Sequence, residues 1–295
     1  MSREHHEQNR RAWNAATVAH NSHKGDQAVF FRAGGSTLFP EEIELLGDVS
    51  GLSLVHLQCN AGQDTLSLAR LGADVTGVDI SDEAIGFARS LSAESGISAR
   101  FERADVYDWL EEAARDGRRF DVAFSSYGAL VWLSDLGAWA WGIAGVLAPG
   151  GRLVVMENHP LLHSLDDEMR FAYPYSSGGR PTVFEEGIGD YVAMSGEALT
   201  HGAEYHEGVV DFVNPHSSVE FNWGLADVVT AVLDAGLVLE ALREYPYTNG
   251  YRAFREMTAL PGRRFRMPEG MPDLPLTYAV AARKPMTAGN DGDRP

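Results

Sequence analysis

Apolar runs of strand length alternate with helix-like patterns between residues 52 and 285, and this alternation constrains the fold more than any other feature of the sequence. It is typical of a parallel sheet covered by helices, so the sequence predicts an α/β chain. The predicted strands cover residues 52–57, 74–80, 99–104, 120–125, 152–157, 238–244 and 276–282. The predicted helices cover residues 64–71, 81–95, 105–115, 133–147 and 224–235.

Three segments fall outside this alternation. Residues 1–40 form a separate helical segment, which we interpret as a lid over the main domain of residues 41–285. The alternative is that this segment only docks on the domain as part of its structure. Within that domain the alternation of strands and helices is interrupted at about residues 158–223. We interpret this stretch as an inserted cap over the site, because irregular stretches of this length usually carry function. Residues 286–295 have the composition of a disordered tail.

Composition excludes several classes of protein. The chain has 24 lysines and arginines against 42 aspartates and glutamates, and its net charge of −18 argues against nucleic acid as a partner. A single cysteine and an amino terminus without an apolar core predict a cytoplasmic protein. No apolar stretch approaches the roughly 20 residues that span a bilayer, so no membrane contact is predicted. The spacing of histidines and cysteines matches no metal-ligand motif, so we predict no metal. The oligomeric state stays open between monomer and homodimer.

The loops that follow the first three predicted strands carry polar residues suited to an adenosine. In the first loop Gly62 permits close backbone approach, and Asn60 can adopt a left-handed conformation. The second loop carries Asp79, whose carboxylate can accept hydrogen bonds from both hydroxyls of a ribose. The third carries Asp105 beside the amide of Val106, an acceptor and a donor that match adenine. Because ligands of open α/β sheets bind at the carboxyl ends of the strands, we expect the three loops to meet at one site.

Charge separates the two classes of cofactor that use such loops. A dinucleotide places its pyrophosphate at a helix N-terminus, where this sequence carries Asp64. That carboxylate would repel a phosphate, whereas the sulfonium and ammonium of S-adenosylmethionine are positive. The charge pattern therefore favours S-adenosylmethionine, with S-adenosylhomocysteine as its product.

The chain resembles the class I S-adenosylmethionine-dependent methyltransferases, in particular a bacterial group that acts on small molecules. The similar segments are HLQCNAGQDTLSLARLGADVTGVDISDEAI, ADVYDW, FDVAFSSYGALVWLSDL and LAPGGRLVVMENHP. The resemblance implies a Rossmann-like, seven-stranded, mostly parallel sheet with an antiparallel last strand. It implies that Asp79 holds the ribose, that Asp105 and Val106 hold the adenine, and that the turn from Asn60 to Gly62 holds the methionine portion. The remaining cofactor-binding residues that we predict are Gln58, Ala61, Ile80, Ser125 and Ser126.

Gln58 departs from the usual pattern of these enzymes, because an acid is frequent at its position. Its carbonyl oxygen can nevertheless accept a hydrogen bond from an ammonium group. We therefore keep Gln58 in the predicted cofactor site.

Methyl transfer from a sulfonium is a direct displacement, which requires an acceptor held in line and kept dry, whereas a general base is optional. His159 follows the fifth predicted strand and is our preferred catalytic contact, together with Tyr127. The alternative is that His159 only braces its loop through a backbone hydrogen bond. The predicted substrate-binding residues are Trp13, Tyr127, Trp132, His163 and Trp223. Trp223 stacks on a planar acceptor in this interpretation and packs in the core in the alternative one.

Arg263, Arg264 and Arg266 form a basic cluster with two interpretations. They either meet a negatively charged acceptor or lie in a solvated loop that offsets the acidic surface. As a whole, the sequence predicts a methyltransferase acting on an O or N atom of a small aromatic or heterocyclic metabolite, in a setting such as specialised metabolism. The alternatives are methylation of a protein or RNA, and a regulator that binds S-adenosylmethionine without catalysis.

Overall fold

The computed structural model describes residues 3–196 and 205–286, so most of the predicted tail and a short part of the insertion lie outside the described residues. Its helices are α1 (Arg3–Ser22), α2 (Gln27–Arg32), α3 (Pro40–Leu46), α4 (Gln63–Arg70), α5 (Asp82–Ser95), α6 (Val106–Arg115), α7 (Leu136–Val146), α8 (Pro160–His163), α9 (Tyr191–Ser195) and α10 (Leu225–Asp234). Its strands are β1 (Ser53–Leu57), β2 (Asp74–Asp79), β3 (Arg100–Arg103), β4 (Phe120–Ser126), β5 (Leu147–Asn158), β6 (Thr182–Phe184), β7 (Ser218–Glu220), β8 (Val238–Tyr245), β9 (Thr248–Asn249), β10 (Thr258–Leu260), β11 (Arg264–Arg266) and β12 (Thr277–Arg283).

A seven-stranded sheet forms the centre, with the strand order β3-β2-β1-β4-β5-β12-β8. Neighbouring strands from β3 to β5 are parallel, whereas β12 is antiparallel to both β5 and β8. The Rossmann-like architecture with an antiparallel last strand is therefore confirmed. Since β1 lies between β2 and β4, the loops that follow these three strands emerge at the same edge.

Helices cover both faces of this sheet because their apolar stripes need a partner surface. On one face Trp139 of α7 and Val228 of α10 are fully buried, in a core that includes Val155 of β5 and Tyr278 of β12. The apolar side chains of α3 and α4 pack on the other face against β1 and β4, and those of α2 and α5 form an adjoining cluster. Both faces of the central strands are thus buried, which explains their continuous apolar sequences.

Two helix starts fix the loops at the binding edge. The side chain of Ser81 accepts a hydrogen bond from the amide of Ala84 at 3.1 Å and caps α5, as predicted. Asp105 caps α6 in the same way, by accepting from the amide of Tyr107 at 2.9 Å. These caps satisfy donors that helix starts leave free, so the loops after β2 and β3 are held in defined positions.

The predicted insertion contributes little regular structure. It holds the short helices α8 and α9, and β6 pairs antiparallel with β7 to make a two-stranded sheet. A second small sheet, in the order β10-β11-β9, follows β8. No helix in residues 3–196 and 205–286 is long and apolar enough to cross a bilayer.

Gly62 gives a test of how tightly the first loop packs. Its φ is +80°, and a Cβ atom there would lie 2.6 Å from Ala88 Cβ and 2.8 Å from Phe101 Cε1. We expect Gly62→Ala to lower the free energy of unfolding by about 2–4 kcal/mol, because backbone strain and overpacking add. Urea-induced unfolding of the purified chain measures this change.

The matched control is Gly86→Ala in the interior of α5, where an added Cβ meets nothing within 4 Å. There we expect a gain of about 0.5–1 kcal/mol, because alanine loses less entropy than glycine in a helix. Equal effects of the two substitutions would show that the loop does not need Gly62.

Candidate active site

A cavity of about 500 Å³ opens at the carboxyl ends of β1, β2 and β4. It is lined by residues from all three predicted cofactor loops, from α1 and from the insertion. The predicted site residues that line it are Trp13, Gln58, Asn60, Asp79, Ile80, Asp105, Val106, Ser126, Tyr127, Trp132 and His163. The structure thus brings these predicted residues together at one cavity, although Trp13 and His163 are 150 positions apart in the chain.

The first loop has an unusual backbone without a cluster of glycines. Gln58 and Asn60 both have positive φ, at 54° and 47°, so Asn60 adopts the left-handed conformation that we expected. Its side-chain oxygen accepts from the amide of Ala61 at 2.6 Å, which stabilises the turn. Ala61 and Gly62 themselves do not line the cavity, and their part in the site is to shape this loop.

Asp79 is held as a carboxylate at the end of β2. Its Oδ2 accepts from the amide of Asn60 and its Oδ1 from the amide of Ser81, both at 2.8 Å. Burial raises the pKa of this carboxyl to about 6, although the amide hydrogen bonds oppose the rise. Each oxygen keeps a free lone pair, so the group can still accept from the two hydroxyls of a ribose.

Asp105 forms a hydrogen bond with His6, a residue that we did not predict to be part of the site. His6 of α1 bonds to its Oδ2 at 2.6 Å through Nδ1 and to Ser134 Oγ at 2.8 Å through Nε2. Burial raises the pKa of Asp105, but the hydrogen bonds from His6 and Tyr107 outweigh burial, and the pKa lies below its usual range. Asp105 therefore lies in the cavity as an ionised acceptor.

Helix α1 runs along the cavity and is tied to several parts of the site. Asn9 brackets β7 by donating to Val219 O at 2.8 Å and accepting from the Val219 amide at 2.7 Å. Asn14 accepts from Ser81 Oγ at 2.7 Å, and His20 bonds to Gly189 O at 2.9 Å. The predicted lid segment thus contacts both the cofactor loops and the insertion.

The loop after β4 is anchored on a buried carboxylate. Glu157, near the end of β5, accepts from the amides of Ala129 at 2.8 Å, Leu130 at 2.9 Å and Asn158 at 2.7 Å, and also from the amide of Gly128. Burial nevertheless raises the pKa of Glu157. This single side chain fixes the wall of the cavity that faces the first loop.

Gln58 connects that wall to the first loop and tests whether the expected cofactor fits. Its Nε2 donates to Ala129 O at 2.7 Å, whereas its Oε1 is buried without a hydrogen-bond partner among the described residues. A buried acceptor without a donor is costly, and an ammonium group would satisfy it. The unsatisfied oxygen of Gln58 therefore fits the amino group of S-adenosylmethionine.

Asp64 lies in the first turn of α4, as the charge argument required, and borders the cavity floor. It accepts from Thr37 Oγ1 at 2.5 Å and from Ser126 Oγ at 3.3 Å. Nearby, His56 bonds to Thr65 at 2.9 Å, and burial lowers its pKa to about 4. His56 is therefore neutral at pH 7 and adds no positive charge beside Asp64.

Glu220 is a functional candidate that the sequence analysis missed. It ends β7 and lines the cavity, next to Phe221, whose amide donates to Val131 O in the loop after β4 at 2.7 Å. Within the described part of the chain its carboxyl forms no hydrogen bond or ion pair, and burial alone raises its pKa to about 7. Such a carboxyl can hold or accept a proton near neutral pH.

His159 does not reach the cavity, so our preferred catalytic contact is wrong. Its Nδ1 accepts from the amide of Leu161 at 3.1 Å, and its Nε2 bonds to Glu244 of β8 at 2.9 Å. Both ring nitrogens are used, and the ring is 3% exposed. The structure supports the alternative, in which His159 braces its loop.

Two further predicted site residues lie outside the cavity. Trp223 packs against the core below α7 and α10 and donates to Leu133 O at 2.9 Å, so it belongs to the core and not to the substrate site. Ser125 is buried in β4 and faces away, whereas Ser126 lines the cavity because successive side chains of a strand point to opposite faces.

Tyr127 and His163 both line the cavity, as predicted. Tyr127 accepts from Asn249 at 2.8 Å through its hydroxyl, and burial raises its pKa well above the usual range. Burial lowers the pKa of His163 to about 4, and its Nε2 has no partner among the described residues. Both side chains are therefore neutral at pH 7 and are suited to polar contact.

The structure places the arginines of the predicted basic cluster in different surroundings. Arg263 lines the cavity, whereas Arg264 forms an ion pair with Glu41 at 2.5 Å outside it. Lys24, which follows α1, also lines the cavity and was not predicted. In the ranges 3–196 and 205–286, no group of three or more histidine, cysteine or acidic side chains is placed to hold a metal ion.

Sequence comparison relates the central part of the chain to methyltransferases. Residues 55–151 match a family described as a methyltransferase domain. A ubiquinone biosynthesis O-methyltransferase from Sinorhizobium fredii is 33% identical over 36% of this chain and 41% of its own length. A ribosomal protein L11 methyltransferase from Laribacter hongkongensis is 30% identical over 46% of this chain and 42% of its own length. The chain thus spans less than half the length of these curated relatives.

Solved structures with the same fold cover more of the chain. An S-adenosylmethionine-dependent methyltransferase from Mesorhizobium loti superposes with a TM-score of 0.52, at 20% identity over 85% of this chain and 99% of its own. One from Methanosarcina mazei has a TM-score of 0.54, at 16% identity over 84% and 99%. These similarities concern the fold.

The pKa of Asp79 gives a test of its role. Binding to ribose hydroxyls favours the ionised carboxylate, so the affinity for S-adenosylhomocysteine should fall as the pH drops through 6 and Asp79 takes up a proton. We expect affinity about tenfold lower at pH 5 than at pH 8, and the loss should be absent in Asp79→Asn, which binds more than tenfold more weakly at pH 8. Isothermal titration calorimetry across this range measures both effects.

The control is Glu83→Gln, an exposed carboxylate in the first turn of the neighbouring helix α5. It should keep the affinity and the pH dependence of the original chain. An unchanged affinity in Asp79→Asn would remove Asp79 from the site.

Proposed function

We propose that this chain is a class I S-adenosylmethionine-dependent methyltransferase and that it transfers a methyl group to an O or N atom of a small aromatic or heterocyclic metabolite. The match of residues 55–151 to a methyltransferase domain supports this assignment. One observation carries the proposal. A single cavity joins the three cofactor loops to a compartment with the aromatic residues Trp13, Trp132 and Tyr251 and the unpaired carboxyl of Glu220. A flat acceptor fits between such walls, and the carboxyl lies ready for its proton.

The residues divide into those that hold the cofactor and those that serve the acceptor. When bound, S-adenosylmethionine supplies a methyl group on a positive sulfur, which an acceptor displaces from about 3 Å. In this chain Asp79 would hold the ribose, Asp105 the adenine and Gln58 the amino group. Trp13 and Trp132 pack edge to face with centroids 5.4 Å apart and exclude water from the compartment.

Glu220 is the proposed proton acceptor. The Glu220 carboxylate would take up the proton that the acceptor atom loses when it is methylated. Its position is fixed because Asn9 holds Val219 and the Phe221 amide holds Val131 on either side. Among the described residues no cation opposes the effect of burial on the pKa of its carboxyl.

The alternatives have less support. The name of the Sinorhizobium fredii relative specifies an O-methyltransferase, which agrees with oxygen as the acceptor atom. The Laribacter hongkongensis relative is named for a protein substrate, but a cavity of about 500 Å³ favours a small molecule. A non-catalytic regulator would have its acceptor compartment filled by its own side chains, whereas this compartment is open.

The proposal extends to partners and location. We propose a cytoplasmic enzyme that acts on small molecules and not on nucleic acid, because the net charge is −18. Its oligomeric state stays open between monomer and homodimer.

Incubation of the purified chain with methyl-labelled cofactor and a library of small aromatic and heterocyclic metabolites tests the function directly. S-adenosylhomocysteine should raise the melting temperature and NAD should not. Stabilisation by NAD alone would overturn the assignment of the cofactor.

Glu220→Gln tests whether Glu220 is the base, in place of His159, which the sequence favoured. We expect kcat to fall by roughly 10²- to 10⁴-fold with little change in affinity for S-adenosylhomocysteine, because an amide cannot accept the proton. In the unsubstituted chain kcat should rise with pH to a plateau above about 7, as Glu220 loses its proton, and this rise should vanish in the variant. Steady-state rates between pH 5.5 and 8.5, a range of about three units around the pKa, measure both effects.

His159→Ala is the matched control. It should keep kcat within about threefold, yet lower the free energy of unfolding by about 1–3 kcal/mol, because the Glu244 and Leu161 contacts are lost. A large loss of kcat in His159→Ala, with Glu220→Gln unaffected, would reverse the two roles.

A further inference from the structure

The cavity contains two cations that neither the cofactor site nor the proposed proton transfer uses. Lys24 follows the end of α1, and Arg263 precedes β11 in the small sheet. Lys24 is one of only two lysines in a chain whose net charge is −18. Two cations that converge on one cavity in so acidic a chain require an explanation.

The ammonium of Lys24 forms no hydrogen bond or ion pair within the described part of the chain. Asp64 and Asp190 act on it through their charges from beyond ion-pair distance. Asp64 accepts from two hydroxyls, and Asp190 accepts from His23 at 2.9 Å and caps α9 through the amide of Ala193 at 3.0 Å. Burial and the charge of Arg263 lower the pKa of Lys24 to about 8, so the ammonium form prevails at neutral pH. An ammonium in a cavity without a hydrogen-bond partner is costly, and a bound anion would offset that cost.

Tyrosines separate these cations from the acid at the other side of the compartment. Tyr191 and Tyr251 line the cavity and pack edge to face, with ring centroids 6.1 Å apart. The charges of Arg263, Asp190 and Asp64 act on Tyr191, whereas those of Glu220 and Asp167 act on Tyr251. The two cations therefore lie toward Tyr191, and the carboxyl of Glu220 lies toward Tyr251.

We propose that Lys24 and Arg263 form a carboxylate-binding subsite for the methyl acceptor, so that the substrate is a small aromatic or heterocyclic acid. Its acidic group would lie at the cations and its proton-bearing hydroxyl or amine at Glu220. This inference rests on the proposed function and specifies the substrate class of the same site. The methionine portion of the cofactor also carries a carboxylate, so the test must distinguish the two sources.

Benzoate and benzamide are suitable probes because they have nearly the same shape and differ in charge. With the full chain saturated by S-adenosylhomocysteine, ligand-observed NMR titration should show benzoate binding at least tenfold more tightly than benzamide. Lys24→Gln and Arg263→Gln should each reduce that preference to less than threefold. Two variants are used because one of them could fail to fold.

Lys284→Gln is the matched control. Lys284 donates to the backbone oxygens of Ala144 and Leu147, away from the cavity, so its loss should leave the preference for benzoate unchanged. Equal binding of benzoate and benzamide to the original chain would overturn the proposal. So would an unchanged preference in folded Lys24→Gln and Arg263→Gln.

A comparison of S-adenosylhomocysteine with 5′-methylthioadenosine, which lacks the amino-acid portion, identifies the source of the carboxylate. We expect Lys24→Gln to change the affinity for either compound by less than threefold. If S-adenosylhomocysteine alone loses more than tenfold, the subsite belongs to the cofactor and the assignment to the acceptor is wrong. If the original chain does not bind S-adenosylhomocysteine at all, the proposed function itself fails, independently of the benzoate result.

Discussion

The buried carboxylate of Glu157 holds the part of the structure on which the cavity depends. It satisfies four backbone amides at the ends of β4 and β5, where no regular secondary structure could do so. Once the loop after β4 is fixed, Ala129 can receive the Gln58 side chain and Val131 can receive the Phe221 amide. The cofactor side and the acceptor side of the cavity thus share one anchored wall.

Two other acidic side chains of the site also hold loops by accepting hydrogen bonds from backbone amides. Asp79 and Asp105 accept backbone amides of the loops that they close, while their remaining lone pairs face the cavity. An acidic chain can therefore build a binding site for a cationic cofactor from groups that also hold its loops. The negative charge that argues against nucleic acid at the level of composition is, at this site, structural as well as functional.

Patterns local to the sequence predicted the fold and many of the residues that line the cavity. The strands were readable because both faces of the sheet are buried, and the left-handed turn at Asn60 followed from residue type. His159 was misplaced because its ring is drawn outward by Glu244, which lies on a strand 85 residues later. Periodicity carries no information on such a contact.

The acceptor side was the least predictable part. Glu220 and Lys24 lie beside irregular segments and are positioned by α1 and by the insertion, which have no fixed spacing from the sheet. The arginine cluster was visible, but whether Arg263 or Arg264 faces inward depends on how the turn before β11 closes. The positive φ of Arg263, 59°, arises in that turn and has no signal in residue type.

Helix α1 links the two sides of the cavity. Its amino-terminal half contacts Asp105 and β7, and its carboxyl-terminal half contacts the segment that precedes α9. A rigid displacement of this one helix would therefore widen the cavity beside the cofactor loops and beside the insertion in the same movement.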